Sequence, residues 1–466
     1  MSPVRSGRPD AAALAAARAL DERRGMREAT EAIVARAPEH DIDPTLVRVE
    51  RLLEVLGDPQ RSYPIIHVTG TNGKTSTARM IEALLVDLGL PTGRFTSPHL
   101  HDIRERIVLS GEPVSAHRFL ATFADVMPFV DLVDARGAQD GTGRLSFFEV
   151  LVAMAYAAFA DAPVETAVVE VGLGGAWDAT NVGDGAVAVI GPVALDHERY
   201  LGSSLEEIAA EKAGIMKPGS IVVSAEQDPA VAEIVLARAG EVGAPVVVDG
   251  DGIEVLSREV AVGGQMLSLR GLAGDYHDLF LPLHGEHQAH NALLALAAVE
   301  AHVGGGEQAL DLDTVRTAFA AVTSPGRLEV VRTSPTVLVD AAHNPAGAQA
   351  LVAALADSFT LGRTVGLVAC MADKDAEGIL EVLEPAFDEV VVTRTTSPRA
   401  MPVAELAEAA EAVFGDHRVT VAPELPDALD RAAELADAGG VVGGVVATGS
   451  VFTAAEVRML LGQGEA

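Results

Sequence analysis

Short apolar runs and longer amphipathic ones take turns along this chain, the rhythm of strands alternating with helices. The first run is Pro64–Val68. Met80, Ile81, Leu84, Leu85 and Leu88 then recur at helical spacing, and Gly89 is placed to end that helix. Thr166–Val171, Ala186–Ile190 and Ile221–Ser224 predict further strands, and the apolar segment Gly285–Glu300 predicts a helix. Between Ser257 and Pro282 the pattern changes to short, alternating, Gly-punctuated pieces, which predict an antiparallel excursion. Ser324-Pro325-Gly326 reads as a linker. Beyond it a second rhythm runs through Val337–Asp340, Ala346–Leu355, Val365–Ala369, Ile379–Leu383 and Val390–Thr393, with a late strand at Val441–Thr448. The expected fold is therefore α/β. A domain with a mainly parallel sheet covers residues 1–323, and a smaller Rossmann-like α/β domain covers residues 324–466. Residues 1–24, rich in Ala and Arg without an apolar stripe, are expected to be frayed or loosely helical.

Composition narrows the class. Apolar residues are 49% of the chain and aromatics only 4%, so the cores must be built from Ala, Val and Leu. A single cysteine, Cys370, excludes a disulfide framework and a thiolate metal cluster. Lys and Arg number 34 against 67 acidic residues, a net −33, which argues against a broad nucleic-acid surface. Positive potential for an anionic ligand must then be local. No apolar run approaches the roughly 18 residues of a membrane span, and the N-terminus lacks the apolar segment of a signal peptide. A cytoplasmic protein without a membrane partner is expected.

Candidate chemistry gathers at predicted strand ends, where open parallel sheets bind ligands. His67–Thr77, HVTGTNGKTST, reads as a strand entering a phosphate-cradling P-loop: Gly70 and Gly73 allow close backbone approach, Lys74 reaches a terminal phosphate, and Thr75 offers a hydroxyl to Mg²⁺. Val68 stands where the P-loop pattern has a small residue, so the motif is a shortened variant. A Gly-rich turn with no ligand is the alternative. Glu170 ends an apolar strand beside Gly172, Gly174 and Gly175, placed either to hold a metal or to cap a turn. Asp196 and His197 offer an oxygen and a nitrogen ligand. Lys212 belongs to a helix ending near Pro218-Gly219; it is either half of a surface pair with Glu211 or a buried, neutral amine able to take up CO₂. Asn291 could read an adenine edge, and Arg327, just past the linker, could stabilise a transferring phosphoryl group. A cap and a surface ion pair remain open for these two. Asp340, His343 and Asn344 follow the first strand of the second domain.

In order along the chain, GTNGKT, FTSPHLHDIRERI (Phe95–Ile107), FFEVLVAMAY (Phe147–Tyr156), EVGLGGAWDATN (Glu170–Asn181), LDHERYLG (Leu195–Gly202), EKAGIMKPG (Glu211–Gly219), PGR (Pro325–Arg327) and DAAHNP (Asp340–Pro345) resemble the folylpolyglutamate synthase/dihydrofolate synthase family of the Mur-ligase superfamily. The resemblance spans residues 40 to 460. It implies a P-loop ATP-binding central domain, a C-terminal glutamate-ligase domain, and amide formation between L-glutamate and a folate or dihydropteroate through an acyl phosphate. It implies ATP and Mg²⁺, one or two ions with a monovalent cation, and a monomer.

Residue by residue, Thr71, Asn72, Gly73, Lys74 and Thr75 match the phosphate loop, and Ser97, Glu170 and His197 the Mg²⁺ ligands. Lys212 matches the carbamylated lysine, and Asn291, Arg327 and Asp340 the nucleotide contacts. Ile42, Asp43 and Pro44, then Ser146, Phe147, Phe148 and Glu149, then Trp177, Asp178 and Ala179 match pteroate-binding positions. His343, in the matched C-terminal motif, joins Lys74 and Lys212 as a catalytic candidate. Ala176 replaces the family's common Arg, and the loop around Pro44 matches poorly, which bears on the choice between dihydropteroate and tetrahydrofolate. Two competing readings are a cell-wall Mur ligase, which would carry a further N-terminal domain where this chain has about 60 residues, and a P-loop ATPase or nucleotide-binding regulator without amide synthesis.

Overall fold

Ile65–Thr69 is buried along its whole length, as a strand covered on both faces by helices must be. The computed structural model describes residues 11–38, 41, 43–438 and 442–463. In it this segment is β1, near the middle of an eleven-stranded sheet. The other strands of that sheet are β2 (Thr92–Phe95), β3 (Ile107–Leu109), β4 (Glu112–Pro113), β5 (Thr166–Glu170), β6 (Gly185–Ile190), β7 (Ile221–Ser224), β8 (Val246–Asp249), β9 (Gly252–Ala261), β10 (Gly264–Arg270) and β11 (Asp275–Leu281). Their order is β11-β10-β9-β8-β7-β6-β1-β5-β2-β3-β4. Neighbours from β8 to β2 run parallel. At one edge β9, β10 and β11 are antiparallel, the expected excursion; at the other, β3 and β4 fold back.

Successive side chains of β1 point to opposite faces. Ile66 and Val68 pack with Ile81, Leu84 and Leu85 of the helix Lys74–Asp87 and with Leu293 and Leu296 of the helix Glu286–Gly304. Ile65 packs with the helix Phe147–Asp161 on the other side. Each fully buried Leu or Ile stabilises by about 2 kcal/mol over exposure. The register sets Val68 beside Glu170 and Thr69 beside Ile190, so three strand ends open onto one loop.

The second sheet has six strands: β12 (Glu329–Thr333), β13 (Thr336–Val339), β14 (Arg363–Val368), β15 (Glu389–Arg394), β16 (Val419–Glu424) and β17 (Gly443–Thr448), in the order β12-β13-β17-β14-β15-β16. Only β12 is antiparallel to its neighbour. The last helix before this sheet ends at Ala321, so Ser324-Pro325-Gly326 lies between the two sheets.

One expectation changes. Residues from Ala11 belong to a continuous helix, Ala11–Val34, anchored by buried Ala29 and Ile33; the expectation for residues 1–10 lies outside the described residues. Asn291 lies within the expected helix, which runs Glu286–Gly304. Among the described residues no helix is long and apolar enough to cross a membrane.

Candidate active site

β1 delivers the loop Gly70–Gly73 onto the start of the helix Lys74–Asp87. Gly73 has φ +82°, and a Cβ there would lie 2.5 Å from Asn291 Oδ1, so loop and amide touch. Only glycine fits. Thr71 fastens the loop to the segment beyond β6: its N–H donates to Pro192 O at 2.8 Å and its Oγ1 to Ala194 O at 3.0 Å. Lys74 Nζ is curled onto its own loop, donating to Gly70 O and Thr71 O at 3.0 Å each. Burial lowers the pKa of this ammonium, while Glu170 and Asp196 oppose the shift. Glu170 Oε1 accepts from Thr75 Oγ1 at 2.9 Å, and Oε2 from the Ser97 N–H at 3.3 Å. Burial raises the Glu170 pKa against the pull of Lys74.

A second group closes the cleft from the other domain. Asp196 Oδ1 accepts from Lys374 Nζ at 2.5 Å, and its Oδ2 accepts from Asn344 Nδ2 at 2.8 Å and lies 3.5 Å from His343 Nε2. Lys374 Nζ is also 3.2 Å from His197 Nε2. The Asn72 and Asn344 side-chain amides exchange two hydrogen bonds of 3.2 Å. Burial alone would raise the Asp196 pKa, but His343, His197 and Lys374 outweigh it and hold the carboxylate well below its usual range. Burial takes the His197 pKa down to about 3, leaving a neutral imidazole whose Nε2 accepts from Lys374. His197 has φ +54°, a left-handed conformation that costs about 1 kcal/mol or more in a non-glycine residue and persists where its surroundings fix it. Lys212, from the helix Leu205–Ala213, donates to Gly70 O at 2.9 Å. Burial, and then Lys74, bring its pKa down to about 7. Lys74, His197, Lys212 and His343 thus line one hollow of about 30 Å³.

The donors near the loop, the Thr75 hydroxyl, Ser97, the Glu170 carboxylate and the neutral His197, form an oxygen-rich set that suits a hard divalent cation such as Mg²⁺. Ser97 and Glu170 meet directly through the Ser97 N–H, and the Lys74 ammonium interacts with both Glu170 and Asp196. Asp196, His197 and His343 also lie close enough together to hold a metal ion, but the Lys374 ammonium already takes the Asp196 carboxylate. Asp340 accepts from the Leu328 and Ala342 N–H groups at 2.8 Å each. Burial raises its pKa, against the pull of Arg327, whose charge also reaches Lys74 and Glu170.

The residues matched to pteroate-binding positions are not among those lining this hollow, though two of them touch its glycine turn. Ser146 and Glu149 form a capping box on the helix Phe147–Asp161. Phe147 is buried under the Arg106 guanidinium, 5.1 Å from its ring centroid. Phe148 leans on Phe95 with ring centroids 5.8 Å apart, and a Cβ on Gly172 would lie 2.4 Å from it. Trp177 N–H donates to Glu211 Oε1 at 3.1 Å, and Ala179 is buried. Asp178 accepts from Leu173 N–H at 2.9 Å and from Thr180 Oγ1 at 2.5 Å, which braces the glycine turn at the hollow. Asp43 and Pro44 are exposed; Ile42 lies outside the described residues.

Comparison with known proteins gives the family. The family description "Mur ligase middle domain" matches residues 139–299, and "Mur ligase, glutamate ligase domain" matches residues 326–450. The dihydrofolate synthase/folylpolyglutamate synthase of Mycobacterium tuberculosis is 50% identical, over 99% of this chain and 99% of its own length. The chain belongs to the folylpolyglutamate synthase/dihydrofolate synthase family. A crystal structure of Mycobacterium tuberculosis folylpolyglutamate synthase complexed with ADP and AMPPCP matches with a TM-score of 0.90 and 50% identity, over 95% of this chain and 99% of that one. Escherichia coli FolC in complex with DHPP and ADP matches with a TM-score of 0.77 and 30% identity, over 90% of this chain and 94% of that one. A member of this family is an ATP-dependent ligase. Within this Mur-ligase frame, the residue that sequence reasoning left out is Lys374. Its only signal was position, in MADKD just past the end of β14.

Proposed function

We propose that this ligase joins L-glutamate to folates: it extends tetrahydrofolate to polyglutamates and converts dihydropteroate to dihydrofolate. The observation that carries this reading is the single hollow in which Lys74, Lys212 and His197 of the first domain meet His343 of the second. Thr71 to Thr75 would hold the phosphates of ATP, with Asn291, Arg327 and Asp340 contacting the nucleotide. Lys74 would leave the carbonyls of Gly70 and Thr71 for the β- and γ-phosphate oxygens. Ser97, Glu170 and His197, with Thr75, would hold Mg²⁺, which would neutralise charge on the transferring phosphoryl group.

The acceptor carboxylate takes the γ-phosphoryl group and ADP is released. The glutamate amine then attacks the acyl carbon, losing a proton as the C–N bond forms and inorganic phosphate departs. Lys212, with a pKa of about 7, supplies a neutral amine that can add CO₂ and lose a proton, turning a cation beside Lys74 into a carbamate. His343, held against Asp196, faces the reacting atoms from the second domain. We read the division as residues 1–323 and 324–466, and the working form as a cytoplasmic monomer.

The test is phosphate release with ATP, Mg²⁺ and L-glutamate, with dihydropteroate, tetrahydrofolate or a cell-wall precursor as acceptor. Release should require glutamate and one of the two pterins. ATP turnover independent of glutamate would return the protein to the plain ATPase reading.

A further inference from the structure

Arg48 is a buried cation, its side chain 7% exposed, in the first turn of the helix Val47–Val55. Its Nη1 donates to Asp43 Oδ2 at 2.6 Å and to Thr142 O at 3.2 Å, its Nη2 to Asp43 O at 3.1 Å, and its Nε to Glu149 Oε1 at 3.0 Å. Glu149 in turn accepts from the Ser146 N–H at 2.6 Å. A planar guanidinium with donors fixed in a fork can tie two partners in one geometry, which a lysine cannot.

The two segments it joins are far apart in sequence, and both are acceptor positions in the reading above. On one side Glu149 is buried, 6% exposed, and belongs to a rigid helix start. On the other Asp43 is 77% exposed, and Arg48 is the partner that its carboxylate and carbonyl share. The same strip is stitched further back, where Phe147 N–H donates to Ala37 O at 2.9 Å and Arg36 Nη1 to Leu145 O at 2.9 Å. None of these bonds reaches the phosphate loop.

We infer that Arg48 is a positioning residue for the folate acceptor: it clamps the Asp43–Pro44 segment to the Ser146–Glu149 helix start and so fixes the rim that receives the pterin. This rests on the folate-ligase reading. Without the guanidinium, Asp43 has no hold on the helix start, so the acceptor should meet an unformed rim while the nucleotide meets an intact loop.

The experiment measures steady-state kinetics of the full-length enzyme with acceptor and ATP varied separately, for Arg48→Met, Arg48→Lys, Asp43→Ala and the Arg48→Met/Asp43→Ala pair. Arg48→Met should raise the acceptor KM tenfold or more and leave the ATP KM within twofold. Arg48→Lys should recover only part of the loss. The double variant should be no worse than Arg48→Met, because Arg48 acts through Asp43. Equal rises in both KM values, or additive losses in the pair, overturn the inference. Should Arg48→Met not fold, Asp43→Ala decides, since its carboxylate is exposed: an unchanged acceptor KM there overturns the inference too. Wild-type enzyme with no pterin-dependent turnover would instead remove the folate reading itself.

Discussion

Two ammonium groups, those of Lys74 and Lys212, point at the one carbonyl oxygen of Gly70, at 3.0 and 2.9 Å. Burial first, and then the like charge of Lys74, bring the Lys212 pKa down to about 7, and burial lowers the Lys74 pKa as well. The folded state therefore binds fewer protons there than the unfolded chain between pH 7 and the ordinary lysine value. Uncarbamylated protein should gain stability as pH rises through that window and carry the full penalty below it. The free amine needed for carbamylation likewise becomes abundant only above about pH 7. With ¹³C-labelled bicarbonate, wild-type protein should show a carbamate resonance that weakens toward pH 6 and is absent from Lys212→Ala. That variant should be nearly inactive and partly rescued by short carboxylates. Full activity in Lys212→Ala would leave the lysine as a buried structural cation.

At the level of elements, the strand–loop–helix unit around Gly73 is the part most sensitive to backbone geometry. A Cβ there faces both a left-handed φ and the Asn291 amide at 2.5 Å. Gly73→Ala should lose roughly 1–2 kcal/mol of stability from the conformation alone and bind AMPPCP at least tenfold more weakly, as calorimetry can show. Unchanged affinity would mean that the loop does not hold the phosphates.

This unit was legible in the sequence because β1, β5, β6 and β7 are continuous apolar runs, as strands covered on both faces must be. The edge strands β12 and β16 were not. Val419–Glu424 is half exposed and contains Pro423, so its pattern resembles a loop. Residues 1–24 carry no apolar stripe and read as frayed or loosely helical; the buried contacts Ala29 and Ile33 that anchor the helix Ala11–Val34 lie beyond them. Nor could spacing reveal the register of Val68 with Glu170. The family motifs gave Glu170, Ser97 and His197, but Lys374 lay in no quoted motif and meets Asp196 across 178 positions.

Over the whole molecule, that pairing joins the two domains, and among the described residues it is more buried than the other lysine or arginine ion pair between them, Arg258–Asp357. Lys374 and Asp196 side chains are each 7% exposed. Removing one partner of a buried pair typically costs about 3–5 kcal/mol, because the other charge is left without compensation. In a single domain that cost would fall on stability. Here the partners belong to different domains, so opening the cleft and rehydrating Asp196 is the easier relief. Lys374→Met should thus enlarge the radius of gyration in solution scattering and cut kcat by tenfold or more, while AMPPCP affinity stays within about threefold. Asp196→Asn/Lys374→Met should close again without regaining full turnover, because no buried charge remains to be rehydrated. The pH dependence gives an independent check. The folded pKa of Asp196 is depressed, so the link is fully present above the unfolded carboxylate value near 4 and is lost only as pH falls through the lower, folded value. Wild-type scattering should therefore be the same at pH 5 and pH 7.5. A cleft that opens at pH 5 would show that the Lys374–Asp196 pair does not hold the domains together.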